Sequence, residues 1–341
     1  TGYGKLAAGQ PKAPKVLPPV GVDEGVTFEG DIKMNSQGVM YFPTGDTSQR
    51  GRGRGIFADG DSSKTIEYIS IQSLGNAIDF GDSTTDYKQR ASVSSSTRTA
   101  TGGGFSPSPA VTNIIDYITI ATTSNATDFG DLTVARRGAG SAGNNTRGIF
   151  FGGNTPTLQD VIDYITIASV GNATDFGNTT TAKSTVGSLA SPTRAVFGGG
   201  QSNVMEYVTI ATTGNATDFG DLTSGTTEQP AGTSSSTRGL FICGESQPSG
   251  TRLNTIQYIT IATTGNATDF GDNTFLQRGL SACNNSLRAV YGGGNDPSAT
   301  LNTLSYVTIA TTGNGQDFGD LTVARNLDTG VGSSDSHGGI S

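Results

Sequence analysis

The stretch that decides the fold lies at residues 207–220 and reads YVTIATTGNATDFG. Close variants recur along the chain, and each begins at a tyrosine eleven residues before an Asp-Phe-Gly triplet. The six tyrosines are Tyr68, Tyr117, Tyr164, Tyr207, Tyr258 and Tyr306. Each copy also has an arginine before its tyrosine, at the start of an apolar segment. These marker arginines are Arg54, Arg98, Arg147, Arg194, Arg238 and Arg288. The chain therefore contains six copies of a unit of roughly 48 residues, and this repeat overrides a length-based expectation of two ordinary domains.

The length variation between units falls in one place. From the aspartate of each triplet to the next marker arginine there are 19 or 20 residues, whereas from arginine to tyrosine there are 13 to 20. Segments of constant length are held by packing against equivalent neighbours, and insertions in repeat proteins collect on one face, which is often the binding face. We therefore expect the binding surface in the variable loops, at residues 102–112, 154–161, 244–255 and 294–303.

Each unit is predicted to contain four β-strands. In the third unit, residues 147–153 and 161–168 are apolar and rich in β-branched and aromatic residues, and residues 173–177 follow a Gly-Asn turn. Residues 137–143 are nearly all small, which suits a strand crowded near a central axis. We find no helical periodicity in the unit.

A propeller is the arrangement that fits these units. The strand at 161–168 carries apolar side chains on both faces, such as Ile162 and Ile165, so sheets must lie on both sides of it. A linear β-solenoid is the main rival, but its coils are usually shorter than this unit. The first unit lacks the small-residue strand, and residues 325–334 resemble it. The predicted fold is therefore all-β, a six-bladed propeller whose C-terminal strand completes the first blade.

The order of markers resembles the kelch repeat. Residues 135–153 read ARRGAGSAGNNTRGIFFGG and are followed by Tyr164, which matches the kelch succession of basic residue, small strand, apolar strand, double glycine and tyrosine. The later kelch tryptophan is missing, and the phenylalanine of Asp-Phe-Gly stands in a comparable place. The glycine pair is replaced by Asp59-Gly60 and Cys243-Gly244 in two units. The resemblance covers residues 51–336 and implies a divergent kelch-type propeller.

Composition excludes several classes of function. The formal net charge is −8 and no cluster of Lys and Arg occurs, which argues against a nucleic-acid partner. No apolar run approaches the roughly 20 residues of a membrane span, and we recognise no signal-peptide pattern. Hydrophobic residues make up 33% of the chain, with 50 glycines and no tryptophan, so a single large core is not expected. Cys243 and Cys283 are interpreted as buried thiols in neighbouring units rather than a disulfide.

The motifs that suggest chemistry have simpler structural interpretations. Asp-Phe-Gly is the magnesium-binding triplet of protein kinases, but six copies without the other kinase motifs predict a repeated turn or bulge with a buried phenylalanine. Asn125, Asp128 and Asp131 gather oxygen atoms and raise a calcium hypothesis, against which turn hydrogen bonding is favoured. Asn-Ala-Thr matches a glycosylation acceptor and is interpreted as a hairpin turn.

Catalysis has little support in the sequence. His337 is the single histidine, so a Ser-His-Asp triad and a histidine-rich metal site are both disfavoured. No carboxylate stands apart from the repeat in a way that suggests a hydrolase. We therefore expect a protein that is not an enzyme and has no catalytic residue, cofactor or metal.

The amino-acid sequence of the repeat also resembles that of structural proteins of marine tailed bacteriophages. This resemblance implies a virion component, on a fibre, tail or head decoration, whose loops face a glycan or protein of the host surface. The binding residues expected in the loops are Asp59, Asp61, Phe105, Ser106, Gln159, Asp160, Gln201, Ser246, Gln247, Asn295 and Asp296. The alternative is a free, extracellular lectin or adhesin that uses the same loops.

Residues 1–50 do not repeat and are expected to form an arm next to the propeller of residues 51–341. The apolar residues predicted to dock this arm on other virion proteins are Val26, Phe28, Met40, Tyr41 and Phe42. Assembly through this arm predicts a homo-oligomer. A mobile tail is the alternative for the same segment.

Overall fold

The computed structural model describes residues 33–34, 40–41, 53–60, 63–106, 111–225, 227–327 and 332–340. The chain divides into two units, Thr1–Gly51 and Arg52–Ser341. In the first unit, β1 (Lys33–Met34) pairs antiparallel with β2 (Met40–Tyr41). Two of the predicted docking residues, Met40 and Tyr41, thus form a strand, whereas Val26, Phe28 and Phe42 lie outside the described residues.

The second unit is a six-bladed β-propeller, as the repeat predicted. Each blade is an antiparallel sheet in which an inner strand is followed outward by second, third and outer strands. The inner strands of blades 1 to 6 are β30 (Gly332–Ser334), β6 (Ala91–Ser94), β10 (Gly140–Gly143), β16 (Val186–Ala190), β21 (Ala231–Ser234) and β26 (Ser281–Asn284). The second strands are β3 (Arg54–Ala58), β7 (Arg98–Gly102), β11 (Arg147–Phe151), β17 (Arg194–Gly199), β22 (Arg238–Ile242) and β27 (Arg288–Gly292).

The two outer layers follow the same order of blades. The third strands are β4 (Thr65–Ser70), β8 (Ile114–Thr119), β14 (Val161–Thr166), β18 (Val204–Thr209), β24 (Thr251–Thr260) and β28 (Thr303–Thr308). The outer strands are β5 (Ile78–Asp82), β9 (Thr127–Asp131), β15 (Thr174–Asn178), β19 (Thr217–Asp221), β25 (Thr268–Gln277) and β29 (Gln316–Asp320). Short pairs β12 (Asn154–Thr155) with β13 (Thr157–Leu158), and β20 (Thr227–Glu228) with β23 (Glu245–Ser246), lie in the loops.

The ring closes through the C-terminal strand. Ile56 of β3 pairs with Ser333 of β30, so the last described strand completes the first blade as predicted. Asp335 then accepts hydrogen bonds from the backbone N–H groups of Gly53 (2.7 Å) and Arg54 (3.2 Å). These contacts join segments about 280 residues apart in sequence.

The core is divided among the junctions between blades. Among the residues that the structure describes, six clusters of buried side chains occur, and each combines residues of two adjacent blades. The phenylalanine of each Asp-Phe-Gly lies in one of these clusters and meets the repeat tyrosine of its own blade edge to face, as Phe129 does with Tyr117 at 5.8 Å. The predicted bulge is present, because the register shifts between Ile115 and Asp116, opposite this triplet.

The glycine of the triplet is required by the next blade. Gly130 has φ of +145°, and a Cβ atom there would lie 2.5 Å from the carbonyl oxygen of Gly171 in the neighbouring blade. The Asn-Ala-Thr asparagines make the same junction, since Asn172 Oδ1 accepts from the backbone N–H of Asp131 at 3.1 Å. These asparagines lie in the connection between the third and outer strands of their blades, which confirms their predicted place in the hairpin turn. Each of these asparagines also binds the adjacent blade through its side-chain carbonyl oxygen.

The marker arginines form a second ring of contacts between blades. Arg147 stacks on Tyr164 of its own blade at 4.3 Å and donates to the carbonyl oxygen of Ile210 in the next blade at 2.8 Å. The equivalent arginines bond Ile120, Ile167, Ile261, Ile309 and Ile71 in turn, and the last of these bonds joins blade 6 to blade 1. We call this end, with its tight turns, the turn face, and the end with the variable connections the loop face.

Candidate functional site: the loop face

The loop face begins where the second strand of each blade ends. Its connections run from the second to the third strand at residues 59–64, 103–113, 152–160, 200–203, 243–250 and 293–302. Most of them first pair with the segment that leads into the inner strand of the same blade. Examples are the bridges of Phe105 with Lys88 and of Asn295 with Arg278. The loops are thus fastened at their base, and their outer parts differ between blades.

Blade 5 differs most from the others. Its third and outer strands, β24 and β25, are each ten residues long, against five or six in the equivalent strands of the other blades. The pair β20–β23 adds two short strands beside β24. Residues 244–255, which the sequence predicted as a loop, are therefore largely strand. We call this raised part of the loop face, residues 227–228, 245–253 and 275–278, the blade 5 crest.

A chain of polar side chains crosses the crest. Gln201, from blade 4, and Gln247 donate from their Nε2 atoms to the two oxygens of Glu228 at 2.9 and 2.8 Å. Gln247 Nε2 also donates to Glu245 at 3.0 Å, and Arg278 forms an ion pair with the other oxygen of Glu245 at 2.8 Å. The structure thus brings the predicted residues Gln201, Ser246 and Gln247 together with three that the sequence analysis missed.

The signal that would have found Glu228, Glu245 and Arg278 is their position in the unit. Arg278 stands ten residues before the marker Arg288, and Glu228 holds the same place before Arg238. Arg137 is the third-unit equivalent, so this position varies in charge between units. Glu245 directly follows the second glycine position of its unit. Charged residues at variable positions of a repeat are candidates for function, because packing does not dictate them.

The loops of blades 2 and 3 lie apart from this chain in the fold. Phe105 is half-buried, and the Arg137 guanidinium lies over its ring at 4.8 Å. Ser106 follows it and is partly exposed. Gln159 bonds within its own loop, to the carbonyl oxygen of Thr157 at 3.0 Å, while Asp160 is exposed.

Blade 6 contributes Asn295 and Asp296. Asn295 donates from Nδ2 to Thr300 Oγ1 at 2.9 Å. Asp296 caps the following turn, accepting from Ser298 N–H at 2.6 Å and Ala299 N–H at 2.7 Å. Hydrogen bonds from Ser298 and Ala299 lower the pKa of the Asp296 carboxyl.

Asp59 lies beneath the loop face. Its side chain is 1% exposed and contacts Arg90 at 3.3 Å, and Arg90 also binds Asp116 at 2.9 Å. Burial raises the pKa of Asp59 to about 6, although Arg90 opposes this shift. Asp59 also has φ of +55° at a position where blade 2 has Gly103. The neighbouring predicted residue, Asp61, lies outside the described residues.

Buried ion pairs lie under the loop face in blades 1 to 4. They join the residue before the repeat tyrosine to a cation near the inner strand, and they are Glu67–Arg325, Asp116–Arg90, Asp163–Arg136 and Glu206–Lys183. In blade 5 the residue before the tyrosine is Gln257, and in blade 6 it is Ser305. The cation lies eleven residues before the marker arginine in blades 3 and 4 and eight residues before it in blade 2. Blade 5 holds Thr227 and Pro230 at these two positions, and blade 6 holds Gln277 and Leu280. Both charges of the pair are therefore absent in these two blades.

The channel between the inner strands is narrow. It has a volume of about 60 Å³, with room for only a few water molecules, and small or hydroxyl-bearing side chains such as Ser94 and Ser141 line it. His337 lines the channel at its turn-face end, where Nδ1 accepts from Gly339 N–H at 3.1 Å and Nε2 donates to the carbonyl oxygen of Ser94 at 2.8 Å. Burial lowers the pKa of His337 to about 4, so the ring is neutral.

Cys243 and Cys283 are free and buried, in the adjacent blades 5 and 6, as expected. Burial raises the pKa of the Cys243 thiol to about 12. Within the described ranges, no group of three or more His, Cys, Asp or Glu is placed to hold a metal ion. In the same part of the chain, no helix has the length and apolar character to cross a bilayer.

Comparison with known proteins leaves the fold as the main guide to function. No protein-family model matches the sequence, and no curated protein matches it.

Proposed function

We propose that this chain is a non-enzymatic structural and binding protein of a phage virion, placed on a fibre, tail or head decoration. In this proposal the propeller presents its loop face to the host surface, and residues 1–50 attach it to other virion proteins. The observation that carries the binding role is the contrast between the two faces. The turn face is constant and tied blade to blade by the arginine ring, whereas the loop face holds the length variation and the crest.

The arrangement of ionisable groups supports binding over catalysis. The carboxylates of Glu228 and Glu245 are held by Gln201, Gln247 and Arg278, so they have fixed partners in the absence of a ligand. The histidine is neutral and lies at the turn-face end of the channel, away from the variable loops. The virion setting is supported by the resemblance of the repeat to phage structural proteins.

A free lectin or adhesin is the alternative role for the same loops. Sugar sites commonly offer an open aromatic ring, and Phe105 is the aromatic residue among those predicted to bind in the loops. One face of that ring is covered by Arg137. This contact weighs against Phe105 as an open platform.

Assembly is tested by the mass of the full chain in solution. We expect light scattering to show an oligomer for the full chain and a folded monomer for a chain that starts at Gly51, because the arm carries the assembly contacts. The matched variants in the full chain are Phe42→Asp in the arm and Leu276→Asp on the loop face, where Leu276 is 44% exposed. The arm variant should lower the mass and the loop variant should not. Monomers throughout would overturn the virion-assembly proposal and favour the free binding protein.

A further inference from the structure

Of the two arginines on the blade 5 crest, Arg278 forms an ion pair with Glu245, whereas Arg252 forms none with the residues that the structure describes. Strand pairing sets Glu245 opposite Arg252, and Leu253 opposite Gln277, so Arg252 and Arg278 follow at the open end of the same ribbon. Glu245 binds Arg278 at 2.8 Å. Glu245 thus lies beside two arginines, so a second carboxylate next to them would be favourable.

Two guanidinium hydrogen-bond donors at this place are unused. Within the part of the chain that the structure describes, the buried atoms Arg252 NH1 and Arg278 Nε have no hydrogen-bond partner. Asp296 is electrostatically coupled to Arg252, but its bonded oxygen is taken by Ser298 and Ala299. Both guanidinium atoms are buried, so a ligand carboxylate would meet the exposed parts of these side chains, of which Arg278 is 35% exposed and Arg252 is partly exposed. Arginine pairs best with the two oxygens of a carboxylate.

The rest of the crest suits hydroxyl groups. Each carboxylate oxygen of Glu228 accepts one hydrogen bond from a protein side chain. A carboxylate oxygen has two lone pairs, so each of them is able to accept a second hydrogen bond from a ligand. Gln247 and Ser246 are half-buried and Gln201 is exposed beside them. Protein interfaces usually depend on aromatic or large apolar anchors, and Leu276 is the exposed large apolar side chain that the described crest offers.

We propose that the blade 5 crest binds an acidic polysaccharide, with Arg252 and Arg278 receiving a uronate carboxylate and Glu228, Gln201 and Gln247 receiving ring hydroxyls. This inference rests on the proposed host-surface role, and it names the chemical class of the ligand and the sector that binds it. The side chains are already held by one another, so binding needs little further ordering of the crest.

The probe for this site is oligogalacturonate, titrated into the full-length protein by calorimetry. We expect binding that weakens with salt, and a loss of affinity of at least tenfold in Arg252→Gln and in Arg278→Gln, since each removes a charge-assisted hydrogen bond. Arg137→Gln is the matched control, because Arg137 occupies the position in blade 3 that Arg278 occupies in blade 6. Its affinity should stay within about twofold of the wild type.

Stability separates a binding role from a structural one. Arg252→Gln breaks no ion pair with the residues that the structure describes, so its melting temperature should not fall, and a lower one would overturn the inference for Arg252. Absence of binding, or an equal loss in Arg137→Gln, would overturn it for the whole crest. Binding of poly-glutamate as strongly as oligogalacturonate, with the same dependence on Arg252 and Arg278, would assign the site to a protein carboxylate instead.

The result of the oligogalacturonate titration is independent of the light-scattering test of assembly. An arm-dependent oligomer that ignores oligogalacturonate would remove this inference and leave the proposed assembly role intact. A monomer that binds it through Arg252 and Arg278 would do the reverse.

Discussion

Blades 1 to 4 and blades 5 and 6 share the order of their four main strands but differ in where they hold charge. The first four bury an ion pair under the loop face, as Arg136 and Asp163 do at 2.9 Å with both side chains fully buried. Blades 5 and 6 hold Thr227 with Gln257 and Gln277 with Ser305 in its place. Within blades 5 and 6 the cation and the anion are lost together, which is what the cost of an unpaired buried charge requires.

The two glutamines among these neutral residues are bonded to other neighbours. Gln257 Oε1 accepts from the N–H and the hydroxyl of Thr223 at 2.6 and 2.7 Å. Gln277 accepts from Asn273 and donates to the carbonyl oxygen of Gly293 at 3.1 Å. The comparison teaches that the blade needs satisfied polar groups at this place and has no requirement for charge. In this sector the ion pair between Glu245 and Arg278 lies on the loop face instead.

The largest expected effect comes from removing one half of a buried pair. Arg136→Met leaves Asp163 buried, with Thr133 as its remaining hydrogen-bond partner, and should lower the free energy of unfolding by about 3–5 kcal/mol. Urea denaturation of the full chain measures the loss.

The double variant Arg136→Gln with Asp163→Ser transplants the blade 6 pair into blade 3. It should lose less than half as much as the single variant, because no unpaired charge remains. An equal or larger loss would show that blade 3 needs its charges, and the equivalence of the two kinds of blade would be wrong.

A smaller effect is expected from the additional carboxyl of blade 1. Asp59 adds a second acid to the Arg90–Asp116 pair, at the position that holds Cys243 in blade 5. Its pKa is about 6 in the folded protein and near 3.8 when unfolded, so the folded state binds more protons between these values. Its stabilising contribution is therefore complete below about pH 4 and is lost as the pH rises through about 6, by roughly 3 kcal/mol at most.

Asp59→Asn tests this pH dependence. Asparagine keeps an acceptor for Arg90 and tolerates a positive φ, so we expect the difference in stability between variant and wild type to grow in favour of the variant from pH 4 to 7. Chemical denaturation at several pH values measures it. A difference that stays constant over this range would contradict the assignment.

The smallest effect is expected to be equal in the two kinds of blade. Arg147→Ala and Arg288→Ala each remove the stacking contact with the repeat tyrosine and one bond to the next blade, at 2.8 Å to Ile210 and at 3.0 Å to Ile71. Each should cost about 1–2 kcal/mol in denaturant unfolding, and the two losses should agree within roughly 0.5 kcal/mol. A clearly larger loss in one of them would show that the turn face also differs between the two groups of blades.

Most of the fold could be predicted from the sequence because the repeat fixes it six times. The eleven-residue spacing from Tyr164 to Asp175 is held by Phe176 packing against the tyrosine ring, and such packing forbids insertions. The closing strand was predicted at residues 325–334 from its small residues, and the strand itself is Gly332–Ser334.

The candidate site was predicted less well, for a physical reason. Gln201 and Gln247 were chosen because they lie in variable loops, but their contact through Glu228 joins positions 19 to 27 residues apart. That contact depends on how β20 and β23 add to blade 5, and two-residue strands leave no period in a sequence. Asp59 was chosen from its loop position, and its burial follows from Arg90, which lies in the next unit.

The pairing of Ile56 with Ser333 has a consequence for biosynthesis. The ribosome produces β3 early, yet its inner edge has no partner until the chain has been extended by about 280 residues. During that time blade 1 is a three-stranded sheet with an open edge, and open edges invite pairing with other chains. Five blades are able to complete themselves as they emerge, whereas the first must wait for the last, so the final strand converts an open row of sheets into a closed ring.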